Sequence, residues 1–104
     1  MTHLQTLFQE TGQIPQFNKN LLSKHPEVSR NSEIQSGWPC IKGTRVRVVD
    51  IFRATVKGYT NEKIIMQFKE MEVNLTTKQL NDAFNFTLEW LNDLNARKNK
   101  QASR

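Results

Sequence analysis

Apolar residues recur at helical spacing in three successive stretches of the chain. From about Val49, the residues Val48, Ile51, Phe52, Thr55 and Val56 share one helical face, and Gly58 is placed to stop that helix. Thr60 reads as the N-cap of a second helix, with Glu62 in the first turn, where the helix dipole favours an acid, and Ile64, Ile65 and Phe68 as its buried stripe. After the loop KEMEVN, Thr76 and Gln79 have the spacing of a capping box, and Leu80, Ala83, Phe84, Leu88 and Leu91 carry a third helix to about Leu94.

Before these helices the period changes. In SGWPCIKGTRVRVVDIF, Val46 and Val48 alternate with Arg45 and Arg47, the period of a half-buried strand. Cys40-Ile41 is its expected partner across a Lys42-Gly43-Thr44 turn, giving a short β-hairpin ahead of the first core helix. At the N-terminus Thr2 caps a short helix with Leu4, Leu7 and Phe8 on one face, ended by Gly12 and Ile14-Pro15. Apolar residues are sparse from Pro15 to Ser36, where Pro26, Ser29, Asn31 and Ser32 favour turns. The expected organisation is a partly helical arm and connector over 1–32, a mostly α three-helix domain over 33–92, and a basic, disordered tail over 93–104, where NARKNKQASR offers no apolar face.

A length of 104 residues suits one domain, and 37% apolar residues limits it to a small core. A single cysteine, the lack of a secretory-signal pattern at the N-terminus, and the lack of an apolar run near the roughly 20 residues of a membrane span predict a soluble, cytoplasmic protein without membrane contact. The net charge of +5 is uneven. Residues 37–57 carry Lys42, Arg45, Arg47, Arg53 and Lys57 against Asp50 alone, whereas residues 58–92 are net acidic. A basic centre and tail suit a polyanion, and also an ordinary solubilising surface.

Little in the chain suggests catalysis. His3 and His25 are isolated from any Cys or His at ligand spacing and read as surface histidines rather than metal ligands. Cys40 reads as an inert buried residue, and Gly37, Gly43 and Gly58 do not form a phosphate loop. The expectation is therefore a non-enzyme without cofactor or metal.

Three helices with a basic surface are the elements of a helix-turn-helix protein. In that reading Lys78, Asn81 and Asn85 on the solvent face of the third helix, beside Asp82, contact base edges, while Lys42, Arg45, Arg47 and Arg53 anchor phosphates. The plain alternatives are a solvated helix face and an edge strand protected from aggregation by charge. Phe86 and Trp90 lie off the main stripe, four residues apart, and read as a dimer or partner surface. A protein-interaction module built on them is the rival to DNA binding.

The segment SGWPCIKGTRVRVVDIFRATVKGYTNEKIIMQF resembles the domain-of-unknown-function family numbered 433, through Gly37, Pro39, Cys40, Ile41, Lys42, Gly43, Thr44, Arg45, Val46, Val48, Gly58 and Thr60. Ala83, Phe84 and Phe86 resemble the end of the family pattern, so the likeness runs from about residue 33 to 91. It implies a homeodomain-like or winged-helix-like domain. It also implies an antitoxin beside a PIN-like ribonuclease toxin, and together with the helix-turn-helix reading the expectation is a transcriptional regulator on its own promoter region, a homodimer because such modules usually read paired half-sites. The chain departs from the family's Phe-Pro-x-Leu between the second and third helices, where Phe68-Lys69 is followed by a longer path to Leu75.

Overall fold

The structure, a computed structural model, describes residue 17 and residues 19–102. The helix expected between Thr2 and Gly12 lies outside these residues. Four α-helices and a two-stranded sheet make up the described part: α1 (Lys19–Lys24), β1 (Val28–Ser29), β2 (Cys40–Ile41), α2 (Val48–Val56), α3 (Asn61–Glu70) and α4 (Thr77–Ala102). A single 3-10 turn, Gln35–Gly37, separates the two strands.

Local signals account for most helix ends. The Thr60 hydroxyl accepts from the Lys63 N–H at 3.1 Å, capping α3. The Thr76 and Gln79 side chains exchange bonds with each other's backbone N–H at 3.1 and 2.8 Å, the reciprocal capping box expected before α4. Gly58 follows α2 with φ of 101°, a conformation that costs other residues steric energy. At the corresponding place after α3 stands Glu72, with φ of 64°. α1 is only six residues long and ends at His25-Pro26, because a residue before proline disfavours the α conformation. So short a helix depends on packing, supplied by the burial of Leu21.

Two expectations about the first half of the chain are corrected. Cys40-Ile41 forms its ladder with Val28-Ser29, antiparallel with Val28 opposite Ile41 and Ser29 opposite Cys40. Towards Val46–Val48 it keeps only a bridge to Arg47 and the Ile41 N–H bond to the Val46 carbonyl at 2.8 Å. Val48 already belongs to α2, so no second strand is left to lengthen that hairpin. The alternation itself holds: Val46 and Val48 are buried, Arg45 is exposed and Arg47 half-buried. The stretch before residue 33 is also more than a connector, since it supplies α1, β1 and the buried Leu21, His25 and Val28.

α4 is the spine, packed chiefly against α2, with α1, α3 and the strands around it. Its buried residues are Leu80, Ala83, Phe86, Thr87, Trp90 and Leu91. That face is rotated from the expected stripe, so Leu88 is 41% exposed while Phe86 and Trp90 are fully buried. Thr87 hides the true stripe in sequence because it is polar. Inside the helix its hydroxyl donates to the Ala83 carbonyl at 2.9 Å, which satisfies it without water. Helix α4 also continues past Leu94 to Ala102, where a frayed tail was expected. Residues such as Ala96, Lys98 and Gln101 favour helix even without an apolar face.

Candidate nucleic-acid interface

Lys78, Asn81 and Asn85, at i, i+3 and i+7, lie exposed on the first turns of α4. They border a shallow groove with Asp82 of the same helix and with Pro26 and Glu27 of the loop between α1 and β1. Asn81 accepts a bond from the Asn61 side chain at 3.0 Å, which ties the start of α3 to α4. Lys78 Nζ is 3.9 Å from a Glu27 carboxylate oxygen, a loose pair whose lysine is 80% exposed and which holds the two groups only weakly.

The expected phosphate anchors divide into two pairs. Lys42 and Arg45 are exposed on the turn after β2. That turn shares a second groove with Glu72, Val73 and Asn74, just before α4, and the Lys42 N–H donates to the Glu27 carbonyl at 2.8 Å. Arg45 is thus placed beside the loop that leads into α4, and Lys42 beside the Glu27 backbone. Arg47 and Arg53 are instead half-buried and committed to Asp50, whose carboxylate accepts from Arg47 Nε and Nη2 at 3.1 Å and from Arg53 Nη1 at 3.3 Å. The Arg47 guanidinium also lies 5.5 Å from the Trp38 ring centroid. These two arginines are paired with Asp50 on α2, whereas Lys42 and Arg45 are exposed on the turn after β2.

Phe86 and Trp90 do not form a surface. Phe17 meets both edge-on, at centroid distances of 5.5 and 5.1 Å, and Trp38 lies 6.1 Å from Trp90. In the sequence they lie off the main stripe of α4, and the rings that cover them, Phe17 and Trp38, are distant in the chain.

It also misplaced His25. The imidazole is buried, edge-on to Phe86 at 5.6 Å, with Nδ1 2.6 Å from Asp82 Oδ1 and Nε2 against Glu89 Oε2. The second Asp82 oxygen accepts the Glu27 N–H at 2.9 Å. The only sequence signal is that Asp82 and Glu89 are seven residues apart, on one edge of α4. Cys40 is buried as expected, its thiol donating to the Trp38 carbonyl at 3.3 Å. Burial pushes that thiol above its usual range, the nearby Arg47 guanidinium pulls it down, and Asp50 pushes it up. Among the described residues, no three His, Cys, Asp or Glu side chains converge as a metal site, and no helix is long and apolar enough to cross a membrane.

Residues 28–86 match the model of a family described as "Protein of unknown function (DUF433)". The chain belongs to that family. The matched stretch begins at β1 and ends within α4, so it takes in the sheet, α2, α3 and the exposed face of Lys78, Asn81 and Asn85. No curated protein and no solved structure matches the chain.

Proposed function

We propose that the protein is a DNA-binding regulator of the antitoxin kind, with α2, α3 and α4 as a homeodomain-like unit and the first turns of α4 as the reading element. The observation that carries this reading is the exposed face of Lys78, Asn81 and Asn85, with Lys42 and Arg45 exposed on a turn that shares a groove with the loop leading into α4. Asparagine amides pair with adenine edges in the major groove, and lysine with guanine edges or phosphates. The connector over residues 71–76 is longer than the three- or four-residue turn common in helix-turn-helix proteins, so support comes from the exposed face rather than from turn length. The ribonuclease toxin rests on the family resemblance, and the homodimer on the paired half-sites that helix-turn-helix modules usually read.

A second reading, a module that binds a protein partner, no longer has Phe86 and Trp90 to support it. It draws instead on Met66 and Met71 of α3 and its end, 66% and 61% exposed, because flexible methionines suit adaptable contacts.

Fluorescence anisotropy with DNA from upstream of the gene and with scrambled DNA, each at two salt concentrations, separates the readings. DNA reading predicts tighter binding to the upstream sequence at the higher salt. Replacing Lys42 and Arg45 together with Ala then lowers the log–log salt slope by about 2, and Asn85→Ala relaxes sequence preference. Equal binding to both DNAs, or none, overturns it and leaves the partner-binding reading.

A further inference from the structure

The contact between the arm and α4 contains more acceptors than a neutral histidine can serve. His25 has a side chain 8% exposed, with one carboxylate oxygen at each ring nitrogen. Asp82 is itself 18% exposed and Glu89 45%. Ionised carboxylates only accept, and a neutral imidazole has one N–H, so the two contacts together require a second ring proton. Phe86, against the ring edge, provides no alternative donor.

Among the described residues, charged groups from both α4 and the arm surround the ring. On α4 they are Asp82, Glu89 and Asp93, which borders the same cleft as Glu89 and Lys24. On the arm they are Lys24 and Glu27, whose backbone N–H already serves the second Asp82 oxygen. Lys78 faces Glu27 rather than the ring. None of these places another proton donor between His25 and Glu89.

We infer that His25 is a proton-operated latch: as the imidazolium it ties the arm to α4 through Asp82 and Glu89 together, and on losing one proton it releases one of the two. The release loosens α1, the loop carrying Glu27, and β1. This inference does not depend on DNA binding. The geometry sets the direction: the second carboxylate contact needs the second ring proton, so it is present on the acid side and absent on the basic side.

Amide exchange of residues 21–29, corrected for intrinsic rates, tests it between about pH 5.5 and about pH 8.5, above the ordinary carboxylate range and across the ordinary imidazole range. The expected result is a loss of protection in that segment on the order of tenfold relative to α2, the scale of one charge-assisted bond. In Glu89→Gln, the carboxamide donates to an unprotonated Nε2, so the second proton is no longer needed and protection becomes independent of pH. A wild-type segment that changes no more than α2, or a variant that keeps the wild-type pH dependence, overturns the latch. Ring nitrogen NMR of the unaltered protein decides the case if the variant does not fold. Two protonated ring nitrogens while the arm is protected support the latch, and one overturns it.

Discussion

On one flank of α4, Phe84 stacks on Phe52 of α2 at 5.1 Å and packs against the core cluster that includes Val49, Ile51 and Leu80. On the other, Phe86 and Trp90 meet Phe17 and Trp38 edge-on, and Asp82 and Glu89 take both ring nitrogens of His25. The first flank joins consecutive helices through apolar faces, each visible in its own period. The second joins α4 to distant residues, His25 lying 57 positions before Asp82 and 64 before Glu89, through aromatic edges and charge. The family match includes most of the first flank but begins at residue 28. Phe17, α1 and His25, which seal the second flank, therefore stand outside it. A small helical unit with a Trp and a Phe on its open side needs a cover, and this chain provides one from its own N-terminal arm.

Trp90→Ala is expected to cost about 3–5 kcal/mol, a large part of the stability of a small domain, and to unseat the arm; urea unfolding and loss of near-UV dichroism measure it. Phe52→Ala on the other flank is expected to cost about 3 kcal/mol or more while the exchange protection of residues 21–29 outlasts that of α2. If both variants lose arm and α2 protection in step, the flanks are one cooperative unit and the distinction fails.

Asp82→Ala removes the acceptor of both His25 Nδ1 and the Glu27 N–H, and a loss of about 2 kcal/mol is expected from those stranded donors, read from the shift in urea midpoint. Glu72→Gly is expected to raise stability by about 1 kcal/mol, because the residue after α3 holds a positive φ that glycine adopts freely; an unchanged or lower thermal midpoint contradicts this. Lys78→Ala is expected to change stability by less than about 0.5 kcal/mol, since its pair with Glu27 is long and exposed, so any larger effect in DNA titrations reports on binding rather than folding.

What the sequence determined by itself was local. The Thr60 cap, the Thr76–Gln79 capping box, the Gly58 stop, the burial of Val46 and Val48, and the exposure of Lys78, Asn81 and Asn85 each follow from a few adjacent residues whose backbone or face preference decides the matter. Tertiary structure decided which strand Cys40-Ile41 pairs with, which edge of α4 is buried, and which arginines remain open. Each of these depends on what a distant segment covers or offers. Val28-Ser29 competes for β2, Phe17 and His25 turn α4 towards Phe86 and Trp90, and Asp50 draws in Arg47 and Arg53. Periodicity shows that a helix has an apolar face; where that face ends is set by the neighbours that remove it from water.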